Sequence, residues 1–207
     1  MDSKTSEFLK QYYDSHVWGL NTTWLGVPLC KLPSDLFLYQ EMIYEIKPDL
    51  IIECGTFKGG SALFLASMLD LIGKGHVLSI DIGPQPNLPT HPRIQYLTAS
   101  SISAEVQQIV LTLQPAFNVI MVILDSDHSK EHVLRELQLY SSLVSIGSYI
   151  VVEDTCINGN PILPDWGPGP MEAVEEFLQT NNNFIIDESK HKFFMTFHPK
   201  GFLKRIQ

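Results

Sequence analysis

The sequence predicts an α/β fold in three layers: a doubly wound, mostly parallel sheet with helices on both faces. Two observations carry that expectation. Short aliphatic runs such as "DLIIECG" and "NVIMVILD" recur along the chain, with longer helical patterns between them. These runs are apolar at successive positions rather than at alternate ones, as befits strands buried on both faces.

The elements follow in order. Residues 1–34 form an aromatic-rich N-terminal segment with Tyr12, Tyr13, Trp18 and Trp24, read as a cap on the domain spanning 35–207. "DLFLYQEMIYEI" predicts a helix with Ser34 or Asp35 as its cap and Pro48 just beyond its end. "DLIIECG" is a strand, "GGSALFLASMLDLI" a helix and "HVLSIDI" a strand. A Pro-rich loop leads to the strand "RIQYLTA", followed by the helix "AEVQQIVLTL" and the strand "NVIMVILD". "KEHVLRELQLYSSL" is a helix, "GSYIVVED" a strand and "GPMEAVEEFLQT" a helix opened by Pro170. Two late strands are expected around "FIIDES" and "FFMTFHPKG".

With 207 residues, 44% of them hydrophobic, one sizeable core is the economical reading. A formal net charge of −9 argues against nucleic acid or an anionic membrane surface as the main partner. Cys30, Cys54 and Cys156 show no metal-type spacing and read as reduced thiols. The start "MDSKTSEFLK" has no apolar signal core, and no aliphatic run approaches the roughly 18 residues of a membrane span. The expected location is cytoplasmic; homo-oligomerisation is left open.

In open α/β sheets, ligands bind beyond the carboxyl ends of the strands. The first such end, "IIECGTFKGGS", runs through Gly55, Gly59 and Gly60 into a helix start with free N–H groups. Tight packing also demands such glycines. Asp81 ends the next strand, where a carboxylate can accept both hydroxyl hydrogens of a ribose. Ser100 and Ser101 follow the third strand. Asp125, Asp127 and His128 break the fourth; in extended geometry the two aspartates share a face. Glu153 and Asp154 end the fifth, one helix and one strand later. Carboxylates converging from Asp125, Asp127, Glu153 and Asp154 with no Arg or Lys nearby call for a hard divalent cation, Mg²⁺ being the natural candidate. Whether Asp125, Asp127 or both complete that set stays open.

Taken together, these residues resemble a metal-dependent class I methyltransferase. The glycine loop reads E-x-G-x-x-x-G-x-S, similar to the first motif of that class. Over nearly the whole chain, the segments "WLGVPLCKLPSDL", "IIECGTFKGGSALFLASMLD", "LDSDHSKEHVLREL", "GSYIVVEDT" and "GPGPMEAVEEFL" resemble the cephalosporin hydroxylase family, which includes rhamnosyl O-methyltransferase-like members. The resemblance implies a Rossmann-like, class I methyltransferase fold with a C-terminal antiparallel strand. It implies S-adenosylmethionine held by Glu53, Gly55, Thr56, Gly59, Ser61 and Asp81, with Ser100, Ser101 and Asp125 also at the cofactor. In catechol O-methyltransferase-like enzymes, a base three residues after the first acid takes the proton of the acceptor hydroxyl. Here that position is His128, an imidazole where that family has lysine, and a plausible base near neutrality.

The resemblance implies Mg²⁺-dependent methylation of a hydroxyl on a small molecule or sugar-containing natural product. The loop "NGNPILPDWGPGP" is long enough for a lid, and Trp18, Trp24 and Trp166 would either stack on the acceptor or pack loops onto the core. Two alternatives stand beside this. One is a cofactor-binding accessory protein without turnover. The other is an oxidoreductase or hydroxylase; the absence of His-x-Asp and His-x-Glu weakens an iron site.

Overall fold

A computed structural model describes residues 2–207. The N-terminal segment opens with α1 (Ser3–Asp14), capped by the Asp2 side chain, and continues into a short hairpin of β1 (Thr23–Trp24) and β2 (Val27–Pro28). There follow α2 (Pro33–Ile46), β3 (Leu50–Cys54), α3 (Gly60–Ile72), β4 (His76–Asp81) and β5 (Ile94–Thr98). Then come α4 (Ala104–Leu113), β6 (Ile120–Leu124), α5 (Lys130–Tyr140), β7 (Tyr149–Val152), α6 (Pro170–Thr180), β8 (Phe184–Ile186) and β9 (Phe202–Arg205).

The seven-stranded sheet runs β5-β4-β3-β6-β7-β9-β8. Its first five strands are parallel, and β9 alone is reversed, antiparallel to both β7 and β8. The chain winds outward in one direction from β3 and in the other from β6, so these two neighbours form the switch point where such sheets bind ligands.

Alternation along each strand divides the core in two. Leu50, Ile52 and Cys54 of β3 pack with Val122, Ile150 and Phe177 on the α4–α5–α6 side. Ile51 packs with Met121, Val151, Met42 and Leu65 on the α2–α3 side. One parity of these strands therefore aims at α2 and α3; it includes Glu53 and Asp81 at the ends of β3 and β4 and, one step past β6 and β7, reaches Asp125 and Glu153.

Two expectations are corrected. Neither Ser34 nor Asp35 caps α2: Leu32 is the cap residue and Pro33 occupies the first turn, where its missing N–H costs nothing. Asp35 is instead wholly buried and accepts the Phe197 N–H at 2.9 Å. The last strand is β9, not "FFMTFHPKG". Pro199 lacks a backbone N–H, Lys200 turns with φ +62°, and pairing with β7 starts at Phe202 opposite Val151. Among the described residues, no helix is long and apolar enough to cross a membrane.

Candidate functional site

A lysine sits among the converging carboxylates. Lys31, carried in by the stretch between β2 and α2, is 3% exposed and places Nζ 2.6 Å from Asp125 Oδ2 and 2.5 Å from Glu153 Oε2. Tyr39 of α2 donates its hydroxyl to Glu153 Oε1 at 2.6 Å. Burial alone would push the Lys31 ammonium down; the charges of Asp125 and Glu153 outweigh it and hold it well above its ordinary value. Burial and the neighbouring Glu153 push Asp125 up, against the opposing pull of Lys31. The expectation of carboxylates without a nearby cation is thus corrected: the chain supplies its own for Glu153 and for one oxygen of Asp125.

Glu153 and Asp154 part at the end of β7. Glu153 keeps the strand's inward parity. Asp154 turns with φ +53° and brings its carboxylate toward Asp125 and His128. His128 Nε2 lies 3.3 Å from Asp154 Oδ2 and 3.9 Å from Asp125 Oδ1. Asp125, His128 and Asp154 offer ligand atoms within 4.8 Å of one another, partly open to solvent. Two carboxylates and an imidazole are a donor set that suits a divalent cation. Asp127 lies outside the group, its Oδ1 accepting the Ser129 N–H at 2.7 Å, and both Glu153 oxygens are engaged elsewhere. The turn of Asp154 is held from behind by His198, whose Nδ1 accepts the Asp154 N–H at 3.0 Å. Burial pushes the imidazole of His198 below its ordinary value, against the opposing charge of Asp35. In the neutral ring Nε2–H then faces Asp35 and Glu153, at 3.5 and 3.7 Å.

Beside this group a cavity of about 480 Å³ opens at the switch point, lined by Gly55, Asp81, Ser100, Ser101, Asp125 and His132 among others. Gly55 is required there: with φ +101°, a Cβ would stand 1.9 Å from the Asp125 carbonyl oxygen. Gly59 and Gly60 likewise face protein. Their Cβ atoms would meet Pro89 Cδ at 2.7 Å and the Pro28 carbonyl oxygen at 2.1 Å, so both are demanded by packing. Asp81 Oδ2 accepts the N–H groups of Thr56 and Phe57, both at 3.0 Å, which shapes the loop. Burial opposes its charge, but the donors of Phe57, Gly83 and Thr56 prevail and hold the carboxyl below its usual range. Asp81 Oδ1 has only longer partners, Gly83 N at 3.2 Å and Gln85 Nε2 at 3.4 Å, and is free to accept more.

Glu53 lies beneath the loop and lines no part of this cavity. It is wholly buried, accepts from Ser61 Oγ and from Ser79 Oγ, and its pKa is pushed up to about 7, chiefly by burial. Thr56 joins the same chain through Ser79 Oγ at 2.7 Å. Thr56 and Ser61 also face a small adjoining cavity of about 50 Å³, shared with Gly55, Lys31 and Asp125. This loop is thus organised by a buried carboxyl from below and an ionised one from the side.

The sequence profile of the family described as Rhamnosyl O-methyltransferase/CmcI matches residues 16–206. Rhamnosyl O-methyltransferase of Mycobacterium tuberculosis (strain ATCC 25618 / H37Rv) is 39% identical over 211 residues, covering 99% of this chain and 86% of that protein. The chain belongs to this family. Its members are S-adenosylmethionine-dependent O-methyltransferases. Rhamnosyl O-methyltransferase of Mycobacterium leprae (strain TN) is 40% identical over 212 residues, with 99% of this chain and 91% of that protein covered. A solved CmcI structure with Mg and SAM superimposes with a TM-score of 0.66 at 18% identity, covering 91% of this chain and 78% of the other. That likeness bears out the class I methyltransferase fold, with its antiparallel β9.

The tryptophans divide as well. Trp18 stacks on Tyr13 at 4.9 Å, and Trp24 packs edge-on to Phe64 at 5.0 Å. Trp166 is half exposed, its Nε1 donating to the His128 carbonyl oxygen at 3.3 Å. Sequence reasoning missed Lys31, Tyr39, His198, His132 and Glu136. Lys31 and Tyr39 stand far from the acids in the chain and carry no motif. Glu136 did leave a signal: it sits one turn after His132 and four positions before Tyr140, on the apolar face of its helix.

Proposed function

We propose that the protein transfers the methyl group of S-adenosylmethionine to a hydroxyl of a sugar-bearing acceptor, with a divalent cation, Mg²⁺ foremost, held by Asp125 and Asp154. One observation carries the reading: Asp125 belongs at once to the cavity wall and to the cluster with His128 and Asp154, so cofactor and acceptor sites share a residue. When bound, S-adenosylmethionine supplies an electrophilic methyl group, and the cation supplies positive charge that favours an ionised acceptor hydroxyl.

The chain's own residues do the rest. Gly55 borders the cofactor while its missing side chain lets the loop lie against the Asp125 backbone, Thr56 and Ser61 border the amino-acid end, Asp81 Oδ1 accepts from the ribose, and Ser100 and Ser101 border the base. Glu53 and Gly59 hold the loop in shape. His128 takes the proton of the acceptor hydroxyl, and Asp154, beside its Nε2, stabilises the imidazolium that results. Lys31 neutralises Glu153 and one side of Asp125, which leaves a compact acidic pair for the cation. Trp166 offers its exposed face, next to His128, to the apolar face of a sugar ring. The names of the mycobacterial relatives favour a rhamnosyl acceptor. Residues 1–34 then act as a cap that brings Lys31 to the site.

Methyl transfer from labelled S-adenosylmethionine to a rhamnosyl glycoside, with and without a chelator, tests this. Activity should vanish in the chelator and return with Mg²⁺. His128→Asn should lower kcat by about 10²-fold or more while leaving cation affinity intact. Undiminished transfer in the chelator would remove the cation from the reading. Loss of cation binding in His128→Asn would make His128 a ligand rather than the base.

A further inference from the structure

A second acid lies behind the wall of the same cavity, outside the group around His128. Glu136 of α5 is wholly buried, accepts from Ser126 Oγ at 2.7 Å, and lies 3.4 Å from Nε2 of His132 one turn earlier. Its second oxygen, Oε2, has no hydrogen-bond partner among the described residues. His132 lies on the cavity wall with Ser101, whose Oγ is 3.1 Å from the same Nε2. Ser101 is fixed in turn by Tyr140, which donates to its carbonyl oxygen at 2.7 Å. Burying a carboxylate is costly, and this one makes its side-chain contacts with Ser126 and His132.

Its effect is on the imidazole. A carboxylate only accepts, and a lone pair on Nε2 facing it would be repelled, so the ring's proton belongs on Nε2. In the neutral ring Nδ1 is then a hydrogen-bond acceptor, and its tautomer is set from behind by a buried acid. The same cavity carries Ile82 and Ile102, apolar side chains suited to the faces of a flat ring, and Asp81 where a ribose would lie. A base bound beyond that ribose would have Ser101 and His132 within the same cavity wall.

We propose that His132, oriented by Glu136, is a specificity-determining residue that accepts a hydrogen bond from the exocyclic amino group of the cofactor's adenine. The inference rests on the cavity being the S-adenosylmethionine site. Exchanging adenine for hypoxanthine replaces that amino donor with a carbonyl acceptor, which would oppose the Nδ1 lone pair.

The test is calorimetric binding of S-adenosylhomocysteine and of its inosine analogue. Hydrogen bonding with Glu136 raises the His132 pKa, against the effect of burial, with Asp127 adding to the rise and Arg135 opposing it. Binding is therefore measured near about pH 8.5, roughly two units above the ordinary imidazole value. The wild type should prefer the adenosyl ligand by about tenfold or more, the scale of one specific hydrogen bond. His132→Leu should bring the two affinities within about twofold of each other. Glu136→Gln should also shrink the preference, because an amide accommodates either imidazole tautomer. His132→Leu lies on the cavity wall and decides the matter even if the buried Glu136→Gln does not fold. A folded His132→Leu that keeps the full preference overturns the proposal, as does a wild type that binds both ligands alike. A wild type that binds neither ligand removes the cofactor site itself, a separate failure of the underlying reading.

Discussion

Replacing Lys31 with methionine keeps most of the side-chain volume and removes the charge between Asp125 and Glu153. Both partners of the tighter pair are almost sealed from solvent, Lys31 at 3% and Glu153 at 2% exposure. Tyr39 remains at 2.6 Å from Glu153 and His198 at 3.7 Å, yet a hydroxyl and a neutral imidazole do not replace a full positive charge. Breaking a buried pair by removing one partner costs about 3–5 kcal/mol. For a domain of this size that corresponds to a fall in Tm of roughly 6–20 °C. Urea unfolding at neutral pH measures it, the slope with denaturant staying constant. The pH dependence has a defined sign. The raised Lys31 pKa stabilises the wild type fully below the unfolded lysine value of about 10.4, and the contribution is lost only as pH rises through the still higher folded value. Between about pH 5 and 9 that contribution is flat. Any change in the gap between the two proteins there comes from Asp125, whose carboxyl burial already pushes up and which loses the opposing pull of Lys31, so the variant should recover as pH falls. Lys31→Met combined with Glu153→Gln should be more stable than Lys31→Met alone. A single variant within about 1 kcal/mol of the wild type, or a double variant no better than the single, would refute the reasoning.

Two further expectations concern the loop. Glu53, with its pKa pushed up to about 7 from 4.5, favours the folded state when protonated; this stability is present below about pH 4.5 and lost as pH rises through about 7. Glu53→Gln should therefore flatten the decline between pH 5 and 8, a difference of about 3 kcal/mol by denaturant unfolding at the two ends, and an unchanged decline would assign it to other groups. Gly60→Ala drives a methyl group to 2.1 Å from the Pro28 carbonyl, so the β1–β2 hairpin must shift. It should cost about 1–3 kcal/mol in thermal unfolding while the folded fraction binds S-adenosylhomocysteine with unchanged Kd. A selective loss of binding would instead place Gly60 at the cofactor.

The sheet was legible because its strands are buried on both faces, a constraint that continuous aliphatic runs record directly. A C-terminal antiparallel strand was expected, but not its position, since "FFMTFHPKG" is as apolar as "FLKRI" and only Pro199 and the turn at Lys200 move the strand along. Helix α1 was invisible for a different reason. Its apolar stripe is short, Leu9 with Tyr12 and Tyr13 packed on Phe197, and an aromatic-rich run of that length does not by spacing alone separate a helix from a packed loop. Among the site residues, Gly55, Asp81, Ser100, Ser101, Asp125, His128 and Asp154 lie where strand-end reasoning put them, because topology alone brings strand ends together. Lys31, Tyr39 and His198 reach the site through tertiary packing of the N-terminal segment, α2 and the turn before β9. No local spacing encodes that approach.

The pairing of Glu153 with Asp154 follows from the period of the strand. In β3, β6 and β7 the odd positions aim at α2 and α3, so Glu53, Asp125 and Glu153 continue that side, while a residue one step further must face the other way or leave the strand. Asp154 leaves it, with a positive φ that an aspartate tolerates better than a β-branched residue would. One acid is thereby committed to an internal ion pair and its neighbour to the surface cluster with His128. Sequence adjacency made the two look like one clamp; backbone parity makes them different groups. Asp125 alone belongs to both, one oxygen on Lys31 and the other toward His128. A rigid internal cation on one side of that carboxylate fixes the direction of its free oxygen on the other. The N-terminal segment thus shapes the site without contributing a group to the open cluster.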